Sequence, residues 1–179
     1  MQFNIVAVDG DWYRNYNDYV INRVTLNQMA TNTRCAVAIH TAGMLALAEK
    51  IRVSSETIAK SVSTNPVVVR RVISLLAKHG LVDVRKGQTG GAVLARPPSE
   101  ITLEAIHRAV ELPPLMAVPK TGAGDCTMAR FVGPVLTELF ANAEAAYIER
   151  LRRFTLADVL AAIEQRMADH GVQPKRVGK

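Results

Sequence analysis

Apolar residues recur at helical spacing in two consecutive segments of the chain, and a short polar turn separates the two segments. The first segment begins at Ser54, whose hydroxyl suits an N-cap, and ends at Ser61. In the second segment, Pro66 suits a first helical turn and Gly80 suits the left-handed position after the last turn. The buried face of this second helix is predicted from positions i, i+3, i+4 and i+7, which are Val69, Val72, Ile73 and Leu76. The pattern therefore predicts a helix-turn-helix.

A short two-stranded ribbon is predicted directly after the second helix. Residues 81–84 and 92–95 are mostly apolar, and a glycine-containing polar stretch at 86–91 connects them. Pro97 and Pro98 end the ribbon, because proline cannot donate to a strand ladder. In DNA-binding proteins the second helix of such a motif enters the major groove, and a basic ribbon tip reaches the adjacent groove or phosphates. The sequence thus predicts a winged helix-turn-helix.

Helices are also predicted on both sides of this motif, which makes the fold mainly α. The first helix runs from Thr33, an N-cap, to Glu49, and a fourth helix begins after Thr102. Residues 1–32 show no sustained period and are predicted to be a poorly ordered N-terminal extension. The winged helix-turn-helix domain is therefore predicted at 33–111.

The C-terminal third of the chain is predicted to hold two helices. A long fifth helix of about 30 Å begins at Met128 or Pro134 and ends at Phe154, and one of its sides is apolar. Thr155 and Asp158 resemble a capping box that opens a sixth helix. The predicted boundaries are a proline- and glycine-containing loop at 112–127, the two helices at 128–171 and a basic tail at 172–179.

Composition narrows the class of protein. The chain has 179 residues, of which 49% are hydrophobic and 21% are charged, as in ordinary soluble globular proteins. No run of 18 apolar residues is present, so we expect no membrane span. The chain has no basic leader followed by an apolar run, and its two cysteines suit a reducing compartment. We therefore expect a cytoplasmic protein.

The positive charge is confined to one part of the chain. The formal net charge is +6, and residues 34–96 hold ten Lys and Arg against three Asp and Glu. The rest of the chain holds 12 basic against 13 acidic residues. Basic charge restricted to one domain indicates a surface that binds a polyanion such as DNA.

Two stretches of the chain resemble a known family. They are IAKSVSTNPVVVRRVISLLAKHGLV and KGQTGGAVLARPPSEITLEAIHRAVE, and they are similar to the winged-helix domain of the bacterial Rrf2 regulators. That family includes iron–sulfur, nitric-oxide and cysteine-metabolism repressors. The resemblance implies a homodimeric repressor of a pseudo-palindromic operator, with the long fifth helix making the dimer contact. The residues on the apolar side of that helix are Val135, Leu139, Ala143, Tyr147 and Phe154.

The resemblance also implies which residues meet double-stranded DNA. Those expected to face the major groove are Thr64, Asn65, Val67, Val68, Arg71 and Ser74. The expected wing tip consists of Lys86, Gly87, Gln88 and Thr89. The other residues expected to contact DNA, mainly at its phosphates, are Arg34, Ser55, Arg70, Lys78 and Arg85. Arg71 is the candidate for a base contact, because a guanidinium can pair bidentately with guanine.

The cysteine pattern departs from that of the cluster-binding members of the family. Those members place three cysteines in the loop before the long helix, since a cluster needs several thiolates. Here that loop holds only Cys126, and Cys35 lies far away in sequence. We therefore predict no iron–sulfur cluster, no metal and no other cofactor. Cys126, ahead of a helix, is a candidate redox thiol or a packed cysteine, and Cys35 is a second candidate that also suits a small core residue. The signal is equally open to be a small molecule held between the fourth and fifth helices.

Other readings of the chain remain open at this point. A winged helix can serve as a protein-interaction module, although the basic segment disfavours that. An enzyme is not predicted, since the chain has no nucleophile–base motif, no metal-ligand spacing and no phosphate loop. Among the histidines, His107 is predicted on the surface of the fourth helix, His40 in the core or an interface, and His79 as a cation at a helix end.

Overall fold

The computed structural model describes residues 29–87, 90–110, 114, 116, 118 and 126–172, with backbone only for 29–32. These residues form α-helices and one two-stranded antiparallel sheet, which confirms the mainly α, winged-helix fold class. The elements are α1 Met29–Leu47, α2 Ser55–Val62, α3 Pro66–Lys78, β1 Val82–Arg85, β2 Gly91–Leu94, a 3-10 turn Pro98–Glu100, α4 Leu103–Ala109, α5 Thr127–Arg152 and α6 Leu156–Asp169.

Helix α1 begins earlier than the sequence predicts. It starts at Met29, so Thr33 lies inside the helix and is not its N-cap. The remainder of the predicted extension, 1–28, lies outside the described residues. The helix ends at Leu47, before the predicted Glu49, because Glu49 and Lys50 adopt left-handed backbone conformations with φ of 47° and 75°.

Helices α2 and α3 form as the sequence predicts. The Ser54 hydroxyl accepts a hydrogen bond from the Thr57 amide at 3.1 Å, and Asn65 Oδ1 accepts one from the Val67 amide at 2.8 Å. The turn between the helices passes through Ser63, which is left-handed with φ of 55°. The predicted buried face of α3 is confirmed, since its buried residues are Val69, Val72, Ile73 and Leu76.

The two strands form a hairpin, which we call the wing. Each strand is displaced by about one residue from its predicted range, and Arg85 pairs with Gly91 at the tip end of the ladder. The return strand is also tied to the segment before α2, because the Val53 and Ala92 amides each donate to the other residue's carbonyl at 3.0 Å. The wing and the start of α2 are therefore one hydrogen-bonded unit.

The C-terminal helices are joined to the winged helix-turn-helix domain by backbone hydrogen bonds. The Leu103 amide donates to the Phe154 carbonyl at 2.8 Å, and the Leu156 amide donates to the Ile101 carbonyl at 2.8 Å. The predicted capping box at Thr155 is confirmed, and so is the Thr102 cap of α4. These bonds fix the point at which α5 ends and α6 begins.

The hydrophobic core lies between α1, α2, α3, α4, the wing and the first residue of α6. Its large, fully buried side chains include Leu45, Ile58, Leu76, Ile106 and Leu156. Helix α5 contributes little to this core, because Gly133 is its one buried residue. The long helix therefore stands largely outside the folded domain that it follows.

Candidate nucleic-acid interface

One side of α3 faces away from the core. Val67 is 62% exposed and Val68 43% exposed, although both are apolar. Arg71 is exposed on the same helix, as the sequence predicts. We define the outer face of α3 as its exposed residues, which are Val67, Val68, Arg70, Arg71, Ser74 and Lys78. This face combines two exposed apolar side chains with three cations, a composition that suits base edges and phosphates.

The turn before α3 supplies two more of the predicted residues. Asn65 is exposed, and its side-chain oxygen is used for the cap of α3. Thr64 is half-buried, and its amide donates to the Ala59 carbonyl at 3.0 Å. Both residues therefore lie at the N-terminal end of α3, next to its outer face.

A groove of about 630 Å³ runs between the start of α2, the outer face of α3 and the wing. We call it the basic groove, because three cations from α3 and the wing line it. Arg70 comes from α3, Arg85 from β1, and Lys86 from the residue that follows β1. Ser55, Ser74 and Gly87 also line the groove, which brings six of the predicted DNA contacts together.

A carboxylate that the sequence analysis did not single out also lines the basic groove. This carboxylate belongs to Glu56. It accepts hydrogen bonds from its own backbone amide and from the Ser55 hydroxyl at 3.2 Å, and these bonds lower the pKa of Glu56, with a smaller contribution from Arg70. The Ser55 hydroxyl thus already has an acceptor inside the chain. Because the Glu56 carboxylate stays ionised at neutral pH, the end of the groove next to α2 opposes a phosphate.

The base of the wing depends on a glycine. Gly91 has φ of +142°, and a Cβ added there would lie 2.8 Å from the Val53 carbonyl oxygen. The Arg52 guanidinium, another residue that sequence reasoning missed, donates to the Gly91 carbonyl at 3.3 Å. At the tip, Lys86 and Gly87 are exposed, while the predicted Gln88 and Thr89 lie outside the described residues.

Arg34 does not line the basic groove. It is half-buried, and its Nη1 atom donates to the Val110 carbonyl at 3.2 Å, at the C-terminal end of α4. A guanidinium next to that carbonyl end is favourable, since the end of a helix carries partial negative charge. The structure thus gives Arg34 a role inside the domain, and its predicted phosphate contact stays a prediction.

The exposed side of α5 is apolar at its N-terminal half. Met128 is 71%, Phe131 58%, Val135 63% and Leu139 58% exposed, and these four residues share one side at spacings of three and four. We call them the apolar stripe. The predicted interface residues Val135 and Leu139 belong to it, and Ala143 is exposed further along the helix.

The other two predicted interface residues make contacts within the chain. Tyr147 packs edge-on against the His107 ring, with a centroid distance of 5.4 Å. Phe154 lies beyond the end of α5, where the Arg150 guanidinium covers its ring at 4.9 Å. Met128 and Phe131, which the sequence analysis left out, take their place on the exposed side, and the helical spacing itself would have identified them.

The histidine predictions need two corrections. His107 is buried rather than on the surface, because its side of α4 packs against α5. His40 is exposed rather than in the core, and its Nε2 atom lies 2.9 Å from the Ser61 hydroxyl. His79 is exposed and is the C-cap of α3, which confirms its predicted position at a helix end.

Both cysteines are free thiols. Cys35 is half-buried in α1, and desolvation raises its pKa, so it is a neutral thiol at pH 7. Cys126 is exposed at the N-cap of α5, and its side chain makes no capping hydrogen bond. Most of the predicted loop around it lies outside the described residues.

Among the helices of the described residues, none has an apolar stretch that could span a lipid bilayer.

Comparison with known proteins points to one family. Residues 31–162 match the family described as Rrf2, iron-dependent transcriptional regulator. The HTH-type transcriptional regulator YwnA of Bacillus subtilis is 40% identical over 130 residues, which is 72% of this chain and 96% of YwnA. A crystal structure of a protein described as DNA-binding matches with 37% identity and a TM-score of 0.58, over 71% of this chain and 98% of the other. A regulator from Lactobacillus plantarum matches with 25% identity and a TM-score of 0.67, over 78% and 95%.

The residues of this chain do not fit an iron–sulfur cluster. Such clusters are held mainly by several cysteine thiolates. The chain has two cysteines, of which Cys35 lies in α1 and Cys126 at the start of α5. Among the described residues, no three His, Cys, Asp or Glu side chains are grouped to hold a metal ion. The donor set thus departs from the iron dependence in the family description.

Proposed function

Because this chain belongs to the Rrf2 family of transcriptional regulators, we propose that it binds an operator in double-stranded DNA as a homodimer and represses transcription from it. Its matched relatives are transcriptional regulators and not enzymes, in agreement with the absence of a catalytic motif in the sequence. The observation that carries the proposal is the outer face of α3 beside the basic groove. Helix α3 and the wing both supply cations to this one surface.

The outer face of α3 is proposed to read the major groove. Val67 and Val68 are exposed apolar side chains that can contact thymine methyl groups. Arg71 is exposed in the middle of this face, where its guanidinium can reach the O6 and N7 atoms of a guanine. Arg70, Arg85 and Lys86 are proposed to contact phosphates, so that binding weakens steeply as salt concentration rises.

The apolar stripe of α5 supports the homodimer. Its four large side chains are mostly exposed in one protomer, and a symmetric partner would bury the same patch on both chains. Two copies of α3 related by a two-fold axis would lie about 34–36 Å apart, which is one turn of DNA. The proposed operator is therefore pseudo-palindromic, with half-sites about one helical turn apart.

Selection of bound fragments from a random DNA library tests this function. We expect one enriched pseudo-palindrome, bound as a 2:1 protein–DNA complex, with an affinity that falls with salt. Arg85→Ala should weaken binding to the operator and to random duplex equally, because a phosphate contact carries no sequence information. If no sequence is enriched from the library and all duplexes bind equally at low salt, the result would favour a winged-helix protein-interaction module instead.

A redox signal through Cys126 is a second proposal, and its exposure supports it. The Cys126 thiolate would attack a peroxide oxygen, the O–O bond would break, and a sulfenic acid and water would form after proton uptake. Operator release should then follow peroxide treatment of the wild type and fail in Cys126→Ser. Cys35→Ser serves as the matched control, because its half-buried thiol is held neutral. Release that persists in Cys126→Ser would remove this proposal without affecting DNA binding.

A further inference from the structure

A second groove, of about 850 Å³, lies between α4 and α5 and is separate from the basic groove. Small-molecule sites are typically about 300–1,000 Å³ in volume. We call it the α4–α5 groove. Ala141, Ala145 and Ile148 give it an apolar wall, while His107 and Glu144 are among its polar lining. The groove therefore has the size and the mixed lining of a ligand site.

His107 is the unusual member of this lining. Its side chain is 7% exposed, and its one ring contact is the edge of Tyr147. Neither ring nitrogen has a hydrogen-bond partner among the residues that the structure describes. Among the described residues, Thr41 Oγ1 is the one buried side-chain nitrogen or oxygen without a partner, so the His107 ring nitrogens reach the groove, where a ligand can bond them in place of water. The ligand needs to offer His107 a hydrogen bond.

The charges around the α4–α5 groove are unequally matched. Arg108 pairs with Glu104, and Arg152 pairs with Glu149 at 3.1 Å, so both cations of the lining are compensated. Glu144 is half-buried and makes no ion pair with any described residue. The groove is thus left with one uncompensated carboxylate, which favours a positively charged ligand.

The protonation state of His107 further restricts the kind of ligand that the groove can bind. Desolvation lowers the pKa of His107, and Arg108 adds to this, while Glu144 and Glu104 act in the opposite direction. The ring is therefore neutral at pH 7 and has one nitrogen that accepts a hydrogen bond. An N–H donor that carries positive charge matches both the imidazole and the Glu144 carboxylate.

We propose that the α4–α5 groove binds a small organic amine. Its ammonium group would bond the Glu144 carboxylate and the His107 ring nitrogen, and its carbon chain would pack on Ala141, Ala145 and Ile148. A carboxylic acid of the same length would be repelled by Glu144 and is excluded. Such a ligand would bridge α4, which belongs to the DNA-binding domain, and α5, which carries the apolar stripe.

Calorimetric titration of the full chain without DNA tests the proposal, so its outcome is independent of operator binding. The probes are hexylamine, hexanol and hexanoate. We expect hexylamine alone to bind, and His107 ring carbon–proton NMR signals to shift with it. Glu144→Gln should weaken hexylamine binding at least tenfold, because it removes the charge from a half-exposed side chain and keeps its shape. Glu164→Gln, an exposed carboxylate on α6, should leave binding unchanged.

Several results would overturn the amine site. They are no heat and no shift of the His107 signals with 10 mM hexylamine, equal binding of hexanol, or equal affinities for the Glu144→Gln and Glu164→Gln variants. Zn²⁺ that binds more tightly than hexylamine and displaces it from His107 would also contradict the proposal, by identifying a metal site instead. Because the readout includes the His107 ring itself, an amine that binds elsewhere on the chain is recognised as such.

Discussion

The helices α3 and α5 both expose apolar side chains, but only one of them is otherwise integrated in the domain. Helix α3 buries four large residues and exposes cations around Val67 and Val68. Helix α5 is twice as long, buries Gly133 alone and exposes the apolar stripe. From Phe131 to Leu139, Glu138 is the one charged residue. A helix with a mixed apolar and cationic outer face suits DNA, whereas an exposed apolar helix face suits a second protein chain.

The largest expected effect comes from the apolar stripe of α5. Phe131→Glu should convert the proposed dimer to a monomer, because it places a charge in the centre of its interface. Operator affinity should fall at least about 100-fold, since two linked half-sites bind far more tightly than one. Light scattering and gel shifts measure the two effects.

Ile163→Glu on α6 is the matched control for this experiment, because Ile163 is also a large, half-exposed apolar residue. It should leave the dimer intact. Equal dissociation by both variants would mean that the stripe of α5 is not the interface, and the contrast between α3 and α5 would lose its basis.

Arg71→Ala is expected to act on sequence preference. Loss of a bidentate contact to guanine removes about 1–3 kcal/mol of discrimination, so the ratio of operator to random-duplex affinity should fall by about 5-fold to 150-fold. Competition gel shifts measure this ratio. Arg166→Ala, an exposed arginine on α6, is the control and should change neither affinity. If Arg71→Ala weakens both duplexes alike, the outer face of α3 holds the backbone and does not read bases.

Gly91→Ala should destabilise the wing. The added Cβ would lie 2.8 Å from the Val53 carbonyl oxygen, and φ of +142° is strained for alanine. We expect a loss of about 1–3 kcal/mol in the free energy of unfolding, measured by urea denaturation. Gly43→Ala in α1 is the control, because a Cβ there meets only an ordinary contact with Leu160 at 3.8 Å. An unchanged midpoint for Gly91→Ala would mean that the wing is not held against Val53.

The smallest effect is predicted for Glu56→Gln. Removing this carboxylate from the basic groove should strengthen DNA binding about twofold to fivefold at pH 7, as for other exposed charges. Since hydrogen bonds lower the pKa of Glu56, the wild-type carboxylate stays charged as pH falls through the ordinary glutamate range. The difference between variant and wild type should therefore persist at pH 5 and shrink only at lower pH. A gain that vanishes between pH 7 and pH 5 would contradict this.

Local signals in the sequence predicted much of the fold. Ser54, Asn65, Thr102 and Thr155 cap their helices as expected, because a cap depends on residues only two or three positions away. The same holds for the buried face of α3. These features require no knowledge of how distant parts of the chain meet.

The parts that sequence reasoning missed depend on distant contacts. His107 is buried because α5 covers it, and Arg34 bonds a carbonyl 76 residues away. Glu56 enters the basic groove only because the wing folds back beside α2. The periodicity of one helix does not reveal which other helix lies against it, so His107 was assigned to the wrong surroundings, and the hydrogen bond of Arg34 and the position of Glu56 were not foreseen.

The backbone hydrogen bonds that join Phe154 to Leu103 and Leu156 to Ile101 have a practical consequence. The chain leaves the domain after α4 and returns to it at the end of α5. These bonds hold that return point, so the C-terminal end of α5 is fixed to the domain. A gene shortened to stop at residue 152 would still encode α3 and the wing, yet it would release this anchor and remove Leu156 from the core. A purification tag should therefore be added after α6, and α6 should not be removed to make room for it.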